Sequence, residues 1–588
     1  MIYTRNGGPA LVALLTAATG LLWADVPGQD SRNTDIPNTD SHMVMPAYRS
    51  LAEWEARKGK LRKQILAATG LLPLPRKTPL NPVIFGRLDR QGYTIEKVYL
   101  QSMPGYYLCG NLYRPLGKAG KHPGVLVAHG HWQYGRLVDE AQASGPTLGA
   151  NLAIQGYVAF AYDMVGYNDT VQTPHAFGGV AEQLWSFGPL ALQLWNSIRA
   201  LDFLESLADV DAANLGMTGA SGGGTQTFLL TAVDDRLKFS APVNMVSAHM
   251  QGGDVCENAP GLRVGTSNLE IAAMMAPRPM LLVSATGDWT KNVPQEEYPA
   301  IRGIYALYDR ADAVESFQVD APHNYNRQSR EAVYKFFGRR VLMHDDKYVY
   351  EEKQIEVEKL QDMLVFHGRT LPAGALTYEQ IFSAWKDAGA AGPDTGAARE
   401  RLGAVLGAEW PARVESSVQG ERIVLSRPGY GDRVAGIWLP GHGEAALVVH
   451  ALGAEAARGS QVVQDLVKAG RPVLLIDCFQ TGSAVAPRDR SHQFFLTFNR
   501  SDDANRVQDI LTALAFLQSQ QPSGIQLIGI EKASTWSVFA AALAPVPLKL
   551  QAETSGFRDS DDQYVRTFFV PGIRRAGGLG AALALIGH

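Results

Sequence analysis

Residues 215–233 read LGMTGASGGGTQTFLLTAV. The stretch opens as a short apolar strand, passes through Gly219-Ala220-Ser221-Gly222-Gly223 and continues into TQTFLLTAV, a run suited to a buried helix. Its middle satisfies G-x-S-x-G, whose glycines permit a strained strand-to-helix turn that lifts a serine Oγ out of a sheet. Pattern alone decides little, because with 59 glycines in 588 residues the two flanking glycines fall by chance on about one serine in a hundred. The setting decides. A strand precedes the turn, the first amides of the following helix can face an oxyanion, and three successive glycines leave room for close approach of backbone to a ligand. A glycine-rich phosphate turn is the bland alternative, but the stretch has neither the lysine of a P-loop nor the spacing of a dinucleotide fingerprint. Ser221 is the candidate nucleophile.

Working outward, GVLVAHG (124–130), YVAFAYD (157–163) and PMLLVSATGD (279–288) are further short, nearly continuous apolar runs separated by helix-length amphipathic segments. That alternation predicts a mostly parallel, doubly wound α/β sheet buried on both faces. Upstream, YTIEKVYL (93–100) and YYLCGNLYRP (106–115) flank Met-Pro-Gly and predict an antiparallel hairpin, with a lead-in helix over 50–72 before them. Ligand sites in such sheets lie beyond the carboxyl ends of the strands, which here carry His129, Asp163, Ser221 and Asp288.

A serine hydroxyl is a weak nucleophile and needs a base, which in turn needs an orienting carboxylate. Asp288 closes the strand PMLLVSATGD, and His323 follows in FQVDAPHNYN, giving the order Ser, acid, His. Asp320 is the rival acid, but the end of a parallel strand aims Asp288 at the same sheet edge as Ser221. The expected oxyanion donors are the backbone amides of Gly222 and of His131, which follows the strand GVLVA. His129 and His131 raise the question of a metal, yet no third ligand with suitable spacing stands nearby, so neither a metal nor a cofactor is expected. Trp132 and the loop GGDVCENAPGLR (252–263), with Glu257, Asn258 and Arg263, are candidates for holding a polyhydroxyl substrate; ordinary loop polarity is the alternative.

The rest of the chain repeats this plan. A helical, charged connector (344–406, including EEKQIEVEKLQDMLVF) leads to ERIVLSRPGYGDRVAGIWLP, which parallels EKVYLQSMPGYYLCGNLYRP around a shared Pro-Gly turn. AALVVHALG then sets His450 opposite His129, and RPVLLIDCFQTGS sets Asp477 opposite Asp163. Aligning GMTGASGGG with LIGIEKAST puts Lys532 at the position of Ser221 and no elbow nucleophile, and the chain ends at His588 before any counterpart of Asp288 or His323. The second domain (407–588) is therefore expected to be catalytically inert.

Composition limits the remaining choices. Hydrophobic residues at 46% and charged residues at 19% describe an ordinary globular protein of two or more domains. A formal charge of -4 without a lysine or arginine block excludes a nucleic-acid footprint, and three scattered cysteines give neither a disulfide framework nor a C-x-x-C pair. Residues 1–24, with Arg5, an apolar run from Pro9 to Trp23 and small residues before Asp25, have the form of a signal peptide, followed by a polar segment over 25–47. The expectation is an exported protein with no membrane association after processing.

The hairpin with its Pro-Gly turn, HGHW (129–132), DMVGYND (163–169), GASGGGTQ (219–226), GDW (287–289) and HNYN (323–326) resemble the acetyl xylan esterase and dienelactone hydrolase relatives of the α/β-hydrolase superfamily, across about residues 48 to 340. His131 and Gly222 stand where the familiar HGYGG and GxSQG patterns have Tyr and Gln. The resemblance implies an α/β-hydrolase fold over 48–343 followed by a degenerate copy, and a serine esterase that deacetylates xylan-like carbohydrate through an acyl-enzyme. An acylated carbohydrate or other small ester would be the partner. A serine peptidase of the same fold and a non-catalytic carbohydrate-binding protein are the alternatives.

Overall fold

The apolar runs between residues 83 and 322 pair into one nine-stranded sheet. In this computed structural model, which describes residues 28–345, 347–389 and 395–587, the strands are β1 (Val83–Arg90), β2 (Tyr93–Met103), β3 (Tyr106–Pro115), β4 (His122–Ala128), β5 (Val158–Tyr162), β6 (Val210–Ala220), β7 (Leu237–Val243), β8 (Met280–Gly287) and β9 (Val314–Pro322). Their spatial order is β1-β2-β3-β5-β4-β6-β7-β8-β9. The first three strands and the β3–β5 pair are antiparallel, and every pair from β5 to β9 is parallel. The expected hairpin is β2–β3. Strands β1 and β7 escape the sequence reading, because VIFGRLDR is half exposed and LKFSAPV is interrupted by Lys238 and Pro242.

Helices cover both faces. Helices α1 (Leu51–Ala68), α3 (Pro189–Ser206) and α4 (Gly222–Val233) bury Trp54, Leu61, Trp195 and Phe228 against one face. Helices α2 (Gly145–Gln155) and α5 (Arg327–Arg340) bury Leu148, Val333 and Phe337 against the other. Helix α1 begins where Ser50 Oγ accepts the Glu53 amide, the side-chain cap that replaces a missing intrahelical acceptor.

A second, seven-stranded sheet is built from β10 (Glu415–Gln419), β11 (Arg422–Ser426), β12 (Val434–Leu439), β13 (Ala445–His450), β14 (Val473–Asp477), β15 (Ile525–Ile530) and β16 (Lys549–Ala552). Its order, β10-β11-β12-β14-β13-β15-β16, is that of the first seven strands of the larger sheet, with the same alternation of antiparallel and parallel pairs. As α4 follows β6, a helix over Ala533–Leu543 follows β15.

The backbone corrects the register of that comparison. Ser221, between β6 and α4, has φ 58°, and the matching left-handed residue after β15 is Glu531 at φ 57°, not Lys532. Gly219 and Gly529 agree with this pairing: a Cβ on either would collide with the carbonyl four residues on, that of Gly223 or of Ala533.

The connector differs from expectation in a second way. Residues 351–359 form neither helix nor strand, and of EEKQIEVEKLQDMLVF only Leu360–Met363 is helical. The segment has good helix formers, but Glu352 pairs with buried Arg330 and Glu358 with Arg90, while the amides of Glu352 and Lys353 donate to Glu331 and Asn151. These tertiary contacts draw the segment along the first sheet's helices and strands and override propensity. Further on, Tyr378–Gly389 and Thr395–Leu406 are helical as expected.

The polar segment before α1 also ties the halves together. The Ser31 amide donates to Gly431 and Arg32 pairs with buried Asp509 in the second half, while Met43 and Thr39 join Ala248 and Gln251 in the first. The run expected to be a signal peptide lies outside the described residues. Among the described residues no helix is long and apolar enough to cross a membrane.

Candidate active site

The turn after β6 has little freedom. Ser221 (φ 58°, ψ -126°) donates its amide to Val243 at the end of β7, and a Cβ on Gly223 would lie 2.3 Å from the Ala128 carbonyl. A left-handed, non-glycine residue held this way stores strain that the surrounding sheet must impose. Gly222 is the first residue of α4, so its amide has no intrahelical acceptor. The His131 ring lies directly over it, 2.6 Å from where a Cβ would stand.

From the neighbouring strands come the acid and the imidazole. His323 Nδ1 is 2.7 Å from Asp288 Oδ2, and the other oxygen, Oδ1, accepts both the amide (2.7 Å) and the hydroxyl (2.5 Å) of Thr290. Asp288 is thus saturated and buried, and the Trp289 ring lies 4.4 Å from the imidazole. His323 Nε2 is buried without a hydrogen-bond partner. A short chain of bonds links it to the elbow: Asn244, next to the acceptor of the Ser221 amide, donates its side-chain amide to the Asn324 carbonyl beside His323. Asp320 is instead the acceptor of Thr286 Oγ1 on an exposed flank, so the rival acid does not reach the imidazole.

His129 is structural. Its Nδ1 meets the Gly130 carbonyl at 2.8 Å and its Nε2 accepts the Met164 amide at 2.9 Å, which joins the loops after β4 and β5. Burial pushes its pKa down to about 3, so the ring is neutral with the proton on Nδ1. The DMVGYND loop is held by Arg136, whose guanidinium contacts Asn111, Asp163 and Asp169 in a buried cluster. Asp169 also caps the Val365 and Phe366 amides of the connector. Burial and the neighbouring Asp169 push Asp163 up to about 6.

The loop after β7 carries three of the expected substrate-binding residues, each engaged within the protein. Glu257 Oε2 accepts the Gly253 and Asp254 amides, Asn258 donates to the Gly252 and Asp254 carbonyls, and Arg263 donates to Asn268, Asn258 and the Glu257 carbonyl. All three residues are buried. Most of their polar atoms hold the loop's own backbone, which a buried loop must satisfy internally, while Arg263 Nη2 is buried without a partner. Trp132 leans on Gly130 and packs against the α2–α5 core. The same loop carries residues that the sequence reading missed: Asp254 and Cys256 meet His131 and His175 here, so His131 does have further metal-ligating neighbours. Tyr167 completes the group, 4.9 Å from the His175 ring.

No family model matches the chain. A solved structure, Methylesterase BT1017, is 32% identical and covers 58% of this chain and 76% of its own, with a TM-score of 0.50. The chain belongs to the α/β-hydrolase esterases. This ester hydrolase is also similar to YtaP of Bacillus subtilis (strain 168), which is named a hydrolase, at 26% identity over 284 residues, 45% of this chain and 91% of that one. An acetyl xylan esterase from Paenibacillus sp. R4 is 18% identical over 50% of this chain and 97% of its own, with a TM-score of 0.34, too distant to carry an argument. The turn at Ser221 and the pairing of Asp288 with His323 were legible from local strand-turn-helix order. The loop residues were not, because nothing in their spacing announces a meeting across 125 residues, as between His131 and Cys256.

Proposed function

We propose that this esterase works through a serine acyl-enzyme, with Ser221 as nucleophile, His323 as general base and Asp288 as its orienting acid. The observation that carries the reading is the 2.7 Å Asp288–His323 bond, which leaves Nε2 buried and unpaired at the edge where the strained Ser221 stands. Asp288 holds the proton on Nδ1, so Nε2 has the lone pair needed to take the Ser221 proton as Oγ attacks the ester carbonyl. The tetrahedral oxyanion is received by the amides of Gly222 and His131. The proton on Nε2 then passes to the leaving alcohol, and His323 activates the water that releases the acid.

The substrate is an ester carried by a carbohydrate. Support comes from the 32% identical relative, which is named a methylesterase, and from the resemblance of the motifs to acetyl xylan esterases. Methyl esters of sugar acids are the first substrates to test and acetylated xylan the second. Residues 48–343 are the catalytic unit, and the protein is exported. Residues 407–588 are a degenerate copy with Glu531 in the nucleophile's place, whose segment 494–498 buttresses the loop after β7 through Leu496–Gly261 and Thr497–Arg263 backbone bonds.

The test is hydrolysis of p-nitrophenyl acetate, a methyl-esterified uronan and acetylated xylan by the wild type and Ser221→Ala, with fluorophosphonate labelling alongside. Loss of roughly a thousandfold or more in rate, with loss of labelling, is expected. Equal activity of the two proteins would remove Ser221 from the reaction.

A further inference from the structure

The loops after β4, β5 and β7 bring four metal-ligating side chains together beside the elbow. The geometry points to a zinc-class divalent-cation site formed by His131, His175, Asp254 and Cys256. Their donor atoms all lie within 4.8 Å of one another. His131 Nε2 is 3.0 Å from Cys256 Sγ and 3.8 Å from Asp254 Oδ1, and His175 Nε2 is 3.2 Å from the same oxygen. Zinc bonds of about 2.0–2.3 Å place tetrahedral donors about 3.3–3.7 Å apart, so small side-chain adjustments close the shell.

The second observation is the orientation of His175. Its Nδ1 lies 2.7 Å from the Val165 carbonyl, which can only accept, so the ring donates there and the neutral imidazole has its lone pair on Nε2. That lone pair faces a carboxylate oxygen. Two acceptors in this position require a cation between them or a second proton on the ring, and a histidine whose far nitrogen is tied to a backbone carbonyl has the arrangement of a metal ligand. His129, two residues from His131, has both nitrogens engaged with backbone and stays outside the group.

The donor set selects the ion. Two imidazoles, a carboxylate and a thiolate favour zinc over the hard cations, which take oxygen ligands. Cys256 is buried while the other three side chains are partly exposed, so an ion enters from solvent and the thiol, releasing its proton to water, forms the inner wall. Because the His131 ring lies on Gly222, the bound ion ties three loops together around Ser221.

The experiment titrates chelator-stripped, full-length protein with zinc chloride and, separately, cobalt chloride. One zinc per chain is expected, with affinity at least about a hundredfold weaker in Cys256→Ser and in His175→Ala. His42→Ala, which breaks a second, partly exposed His-His-Glu cluster, should bind as the wild type does. Cobalt should give a thiolate charge-transfer band that Cys256→Ser lacks. Thermal unfolding of the stripped variants reports whether each folds; should one not fold, the cobalt band of the wild type decides. Absence of saturable binding or of that band, or zinc binding lost in His42→Ala and kept in Cys256→Ser, would overturn the site and leave an ion pair and a thiol hydrogen bond. None of these readouts depends on ester hydrolysis, so the serine mechanism stands or falls separately.

Discussion

Replacing Asp288 by asparagine tests the imidazole's tautomer without emptying the site. Asp288 Oδ1 accepts two bonds from Thr290, from its amide and its hydroxyl, and Oδ2 accepts one from His323 Nδ1. An asparagine amide has one oxygen and one NH2 group. Satisfying Thr290 puts the oxygen on that side and turns the NH2 toward His323. The imidazole must then accept at Nδ1 and hold its proton on Nε2, where it cannot receive one from Ser221. Side-chain volume and packing against Trp289 are unchanged, so the loss is one of protonation state. A wrong tautomer in a serine triad costs about 10,000-fold in kcat, or about 5.5 kcal/mol of barrier. The assay is kcat/KM on p-nitrophenyl acetate with the thermal midpoint as a control for folding. Asp320→Asn serves as the comparison, because Asp320 meets only Thr286 and should leave the rate within about twofold. If Asp288→Asn kept a tenth of the activity, or if Asp320→Asn lost as much, the assignment of the orienting acid would be wrong.

Three other perturbations separate structural from chemical roles. Arg136→Met leaves Asp163 and Asp169 buried together without their cation; a loss of about 3–5 kcal/mol is expected by chemical denaturation of the first domain, and an unchanged midpoint would deny that the cluster holds the loop. Asp163 ionises near pH 6 in the fold against 3.8 when free, so the native state binds a proton before the unfolded chain does. This group's contribution therefore grows as pH falls through that window, by at most about 3 kcal/mol. The wild type should gain stability relative to Asp163→Asn between about pH 7 and about pH 5, and a constant difference would refute the shift. Finally, Glu531→Ser in a Ser221→Ala background should restore neither fluorophosphonate labelling nor hydrolysis, because among the described residues the second sheet stops at β16 and has no counterparts of β8 and β9.

What could be read from sequence was local. The G-x-S-x-G turn announces itself because strand, turn and helix must follow within a dozen residues, and Asp288 sits at the end of an apolar run with His323 following it in order. Burial has no such signature in a loop. Glu257, Asn258 and Arg263 read as substrate-binding candidates from composition, yet each is buried and bonds backbone groups of its own segment. His175 and Asp254, separated by 79 residues, become neighbours only because β5 and β7 end at the same sheet edge. The connector failed for the opposite reason: its helix-forming composition was plain, and the charges that hold it, Arg90 and Arg330, lie far away in the chain.

The one-residue error at the second elbow shows what the backbone adds. Matching apolar runs alone allows Lys532 or Glu531 opposite Ser221, and only the match of Gly219 with Gly529 in the sequence favours Glu531. A left-handed φ at a non-glycine residue is costly, and it occurs at both elbows at the same step after the strand. The same positive φ therefore stands at both turns, with a serine in one and a glutamate in the other. A positive φ at Glu531 must be held by the packing around it. The bonds from Leu496 and Thr497 to Gly261 and Arg263 show where that packing bears on the first domain. The loop that presents Asp254 and Cys256 is braced at its far end by the second domain, so neither half alone specifies the surroundings of Ser221.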